Sequence, residues 1–136
     1  MMVLVDTCVW STALRHKRKT NDTLPEEVIL LKRLIQQRRA VIIGAILQEV
    51  LTGIREDKQF NKLKDQLSAF DLLPLQQENY IEAAHLSNTC RAKGIQGSHT
   101  DFLICAAAIH HQVPILTTDK DFTHYAKNLP LKIFLN

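Results

Sequence analysis

Four acidic residues stand where strands end or helices begin: Asp6, Glu49, Asp101 and Asp119. Carboxylates are hard oxygen ligands, so a cluster of them suits magnesium or manganese, whereas zinc favours a His/Cys set. Cys8, Cys90 and Cys105 lie far apart with no C-x-x-C pair, which argues against a zinc knuckle or a redox motif. Two like charges ~4 Å apart repel by ~1 kcal/mol in water, and several-fold more in a cleft of lower dielectric. Gathered acids therefore need a cation, or some must take up protons. One or two cations held by carboxylates from four elements can polarise a phosphate, generate hydroxide and stabilise the leaving oxygen. The chemistry indicated is metal-assisted cleavage of a phosphodiester.

Competing chemistries lack their motifs. The chain has no Gly-rich phosphate loop with its lysine and no G-x-S-x-G elbow. No second aspartate follows Asp6 two positions on, which argues against an aspartyl-phosphate phosphatase. Cys8 is expected to face the core rather than act as a nucleophile. Each acid, taken singly, also fits an ordinary role. Asp6 could cap a short helix beginning near Thr7, and Asp101 stands at capping-box spacing from Ser98. Asp119 and Asp121 could cap the last helix, and Glu49 could be an exposed helical glutamate. The convergence carries the argument, and the elements must produce it.

Apolar runs rich in β-branched residues, Val3–Val5, Ala40–Ile43, Pro114–Thr117 and Leu131–Phe134, read as buried parallel strands, and Phe70–Leu73 as a possible fifth closed by Pro74. Helical patterns fill the intervals at Glu26–Gln37, Ala45–Ile54, Phe60–Ala69, Glu78–Lys93 (stopped by Gly94) and Thr100–His111. Alternating strands and helices imply an α/β fold: one domain over residues 1–136, a three-layer α/β/α sandwich on a central, mainly parallel sheet of four to five strands. Ligands of such sheets bind at the carboxyl ends of the strands. Asp6 and Asp119 lie at strand ends, Glu49 in the helix after the second strand, and Asp101 at a helix start, so all four belong near one sheet edge.

The 136 residues suffice for one core, and no apolar run approaches the ~20 residues of a membrane helix. The short apolar N-terminus lacks the charged start and cleavage site of a signal peptide, so a cytoplasmic protein with no membrane association is expected. A net charge of +3 is modest, but Arg15, His16, Lys17, Arg18 and Lys19 run together. Of these, Arg15, Lys17, Arg18 and Lys19 are candidates for contact with a polyanion, or else a solvated loop.

The acids fall within four strings that resemble the motifs of PIN domains, especially the VapC-type toxins of bacterial toxin–antitoxin pairs. These are Val5-Asp6-Thr7-Cys8-Val9-Trp10, Gln48 to Gly53 around Glu49, Asp101 to Ala108, and Leu116-Thr117-Thr118-Asp119-Lys120-Asp121-Phe122. The likeness spans nearly the whole chain in order, with Cys8 where the family often has serine. The resemblance implies a PIN-like fold and Mg2+- (or Mn2+-) dependent endoribonuclease activity on RNA, leaving 5′-phosphate and 3′-hydroxyl ends. It also implies a VapB-like antitoxin encoded beside it, and a homodimer. Asp6 and Asp101 are then the first ligands, with Glu49 and Asp119 completing the shell directly or through water. Thr7, Thr117 and Asp121 are second-rank candidates that could fix a ligand or the scissile phosphate. Trp10 could stack on a base, or pack beneath the sheet or in a dimer interface. Two other functions compete: a binding module that sequesters RNA or protein without cutting, and a nuclease acting on DNA. Incubation with mixed RNA with and without EDTA separates cleavage from binding, and substrate competition separates RNA from DNA.

Overall fold

The computed structural model of the chain describes residues 1–16 and 23–134. Val3, Leu4 and Val5 are wholly buried and form the central strand β1 (Val3–Val5). It is flanked by β2 (Ala40–Val41) and β3 (Ile115–Leu116), both parallel to it, in the order β2-β1-β3. The register pairs Val3 with Ala40, Leu4 with Val41 and Ile115, and Val5 with Leu116. Parallel neighbours need crossovers, which here are helical. A strand with no exposed side chain must be covered on both faces, which explains its unbroken apolar run.

The fourth and fifth expected strands shrink to single parallel bridges, Ile115 with Ile133 and Ile42 with Leu72. Both lie on the outside of the three-stranded sheet. Pro74 and Pro130 stand close by and have no N–H to extend a ladder, and Leu72 is half exposed. The parallel α/β plan holds, with two strands fewer than the largest count expected.

Seven helices surround the sheet among the described residues: α1 (Thr7–His16), α2 (Glu26–Gln36), α3 (Gly44–Leu51), α4 (Asp57–Leu67), α5 (Gln77–Ala92), α6 (His99–His111) and α7 (Asp121–Asn128). Arg15 belongs to α1 rather than to the expected polar loop, and α4 starts three residues before Phe60. α5 ends as its sequence foretells: Gly94 takes φ +77°, its N–H reaches the Arg91 carbonyl, and the Ile95 N–H reaches that of Cys90. α6 runs through the core, with Cys105, Ala106, Ala107 and Ala108 buried. Small side chains let it approach its neighbours closely, and α5 packs against it.

Candidate active site

Asp6 follows β1 directly and is 6% exposed. Its Oδ1 accepts the Thr7 N–H at 2.7 Å, and its Oδ2 accepts the Thr117 hydroxyl at 2.8 Å and the Cys8 thiol at 3.5 Å. Burial pushes the carboxyl's pKa up. The hydrogen bonds from Thr117, Thr7 and Cys8 pull the other way, and the negative charge of Asp101 adds to the rise. Thr117 follows β3, and its hydroxyl also accepts the Asp119 N–H at 3.0 Å. One threonine hydroxyl thus ties the ends of two adjacent strands and their acids together.

Glu49 lies exposed on α3, and its Oε1 accepts the Thr7 hydroxyl at 2.7 Å. Thr7 therefore holds Asp6 by its backbone and Glu49 by its side chain. Asp101 is in the first turn of α6, where Ser98 is the N-cap and its Oγ accepts the Asp101 N–H at 3.0 Å. The capping spacing seen in the sequence is real, yet Ser98 does the capping and the Asp101 carboxylate is left for the cleft. Its Oδ2 accepts the Tyr125 hydroxyl at 2.8 Å. Asp119 Oδ1 accepts the Asp121 N–H at 2.9 Å where α7 begins.

Asp101, Asp119 and Asp121 each offer an oxygen, all within 4.8 Å of one another. Asp121, a marginal candidate in the sequence, thus stands in the tightest group. Asp6 joins it through Thr117 and through its charge interaction with Asp101, and Glu49 joins through Thr7. Three carboxylates this close repel one another, and all their donor atoms are oxygen, which is the chemistry that Mg2+ or Mn2+ requires. The donor set fits such a cation.

Other expectations change. Cys8 packs against the core only in part: its sulfur is half-buried among Asp6, Thr117 and Thr118, accepting the Thr118 hydroxyl at 3.3 Å. For Trp10 the packing reading holds over base stacking: it is buried, donates from Nε1 to the Val5 carbonyl at 3.2 Å and packs edge-on against Phe70. Arg15 is exposed and donates to Thr12 Oγ1 at 3.2 Å, while Lys17, Arg18 and Lys19 lie outside the described residues. The residue that sequence reasoning missed is Tyr125. Its signal was the i, i+4 spacing from Asp121, which puts both on one face of α7.

The sequence matches the PIN domain family over residues 3–128, and the chain belongs to that family, whose members are generally nucleases. No curated protein matches the sequence. Among solved structures, the chain is similar to FitAcB from Neisseria gonorrhoeae, with 22% identity and a TM-score of 0.74 over 98% of this chain and 97% of that one. It is also similar to VapBC2 from Rickettsia felis bound to a DNA fragment from its promoter, with 19% identity and a TM-score of 0.75 over 99% and 100%. VapBC-1 from nontypeable Haemophilus influenzae follows with 15% identity and 0.73 over 98% of each chain. At these identities the likeness is one of fold.

Proposed function

We propose that the chain is a VapC-type endoribonuclease, the toxin of a toxin–antitoxin pair, which hydrolyses RNA phosphodiester bonds with Mg2+ or Mn2+ in the cytoplasm. The observation that carries this reading is the group Asp101, Asp119 and Asp121, with oxygens within 4.8 Å, tied through Thr117 to the buried Asp6. Asp101, Asp119, Asp121 and Asp6 would hold the cation, which when bound polarises the scissile phosphate and lowers the pKa of the attacking water. Thr117 holds the Asp6 and Asp119 ends in register. Thr7 aims Glu49, whose exposed carboxylate can orient water or accept its proton. Arg15, Lys17, Arg18 and Lys19 would meet the RNA backbone.

The VapB-like antitoxin has a suitable docking surface. Among the described residues, a groove of about 370 Å³ between α1, α2 and α4 is lined by Trp10, Leu14, Val28, Leu31, Ile35 and Phe70, among others, and would take an apolar helix. Tyr80 and Ile81, both exposed at consecutive positions of α5, would be available to a homodimer contact.

Purified protein incubated with mixed RNA should shorten it with magnesium and leave it intact with EDTA. Asp101→Asn should lower the rate by roughly 100-fold or more, since even outer partners of a metal site are worth 10- to 100-fold. A mobility shift without cleavage would replace the nuclease with a binding module.

A further inference from the structure

Tyr125 is fully buried on α7, its ring packed against Phe102 at 5.0 Å and Phe122 at 5.1 Å between centroids. Such a phenol needs a partner for its hydroxyl. Here the partner is Asp101 Oδ2, at 2.8 Å. The packed ring has little freedom to turn, so the hydroxyl is a fixed donor that holds one oxygen of Asp101 and leaves the rest of the carboxylate to the cleft.

The backbone is shaped around this hydroxyl. A Cβ built on Gly97 would fall on the Tyr125 hydroxyl oxygen, and would stand 2.8 Å from Cζ of the same ring and 2.9 Å from Cε2 of Phe102. Gly97 directly precedes Ser98, the cap that fixes the Asp101 backbone. Backbone and carboxylate of Asp101 are thus held independently, by Ser98 and by Tyr125, and only glycine at 97 leaves room for both.

We infer that Tyr125 is a positioning residue for the cation-binding carboxylate of Asp101, and that Gly97 is the residue that makes its hydroxyl's place. The inference rests on the proposed metal site, but not on RNA being the substrate.

The test is Mn2+ titration of the purified protein, followed by electron paramagnetic resonance, alongside thermal melts in EDTA. Tyr125→Phe keeps the ring and removes the donor. Its Mn2+ dissociation constant should rise about 10-fold or more, while in RNA cleavage the metal concentration for half-maximal rate rises by a similar factor. Gly97→Ala pushes the hydroxyl off Asp101 and should weaken Mn2+ binding likewise. With the hydroxyl gone the new methyl loses its nearest obstacle, so the double variant should bind Mn2+ no more weakly than Gly97→Ala alone, a non-additive result.

Wild-type Mn2+ affinity in folded Tyr125→Phe overturns the inference. So does strict additivity of the two changes, or a lowered Tm in EDTA with affinity unchanged, the mark of a purely structural tyrosine. If the wild-type protein binds Mn2+ but cuts no RNA, the proposed function fails while the affinity loss still supports the positioning role.

Discussion

The Asp6 carboxyl accepts three hydrogen bonds and is still raised in pKa, because burial outweighs them. The consequence for stability has a definite sign. A folded-state pKa above the unfolded one means the folded chain keeps a proton that the unfolded chain has released. Asp6 therefore favours folding most below the ordinary carboxylate range, and that contribution is lost as pH rises through the raised value. At neutral pH the buried charge is a net cost. In EDTA, Asp6→Asn should melt higher than wild type at pH 7, provided the relief of the buried charge exceeds the loss of one accepting oxygen. The gap should close as pH falls to the ordinary carboxylate value and below. A variant that melts lower at every pH would show that the hydrogen bonds, not burial, dominate. The same substitution should abolish Mg2+-dependent cleavage, so stability and activity move in opposite directions, as they do where a site stores unfavourable charge.

At the scale of elements, the acids reach one edge because β1 and β3 are parallel and end together, so residues just past each strand meet. That much was legible in the sequence: the runs before Asp6 and Asp119 are apolar on both faces, and Gly94 marks the end of α5 before the turn that leads to Asp101. Side-chain pairing was not legible. Nothing in the spacing says that Thr117 joins Asp6 to Asp119, or that Tyr125 reaches Asp101 across 24 positions of sequence. The first pairs depend on the register of β1 and β3, and the last on how α6 and α7 meet through Phe102 and Tyr125. The outer strands were overread because apolar character marks burial, whereas ladder length also depends on having a neighbour and an N–H to give. A helix end offers a check independent of the site. α6 closes with Gln112 at φ +55°, its N–H on the Ile109 carbonyl and the Val113 N–H on that of Ala108, a left-handed cap that glycine fills at less cost. Gln112→Gly should stabilise the protein by up to about 1 kcal/mol in denaturant unfolding and leave cleavage unchanged. Destabilisation would mean that the Gln112 side chain makes interactions worth more than the backbone strain.

On the proposed ribonuclease reading, the acidic cluster and the basic segment would share one polyanionic substrate. The net charge of +3 is too small to hold RNA by field alone, so affinity should depend on local cations. Neutralising Arg15, Lys17, Arg18 and Lys19 together should flatten the plot of log affinity against log salt by about one slope unit for each phosphate that no longer meets a cation. An unchanged slope would remove the segment from the interface. No described helix is long and apolar enough to cross a membrane.

The central place of β1 also sets a schedule for synthesis. The hydroxyl that holds Asp6 belongs to Thr117, 111 residues later in the chain. At about 5–20 residues per second, roughly 5–20 s separate the two on the ribosome. During that interval the first strand has no β3 to pair with, and none of the carboxylates from α6 onward exists. Until Thr117 is made, Asp6 stands in the nascent chain without the hydroxyl that holds it. A chain released before Asp119 would lack two of the three acids of the tightest group, Asp119 and Asp121.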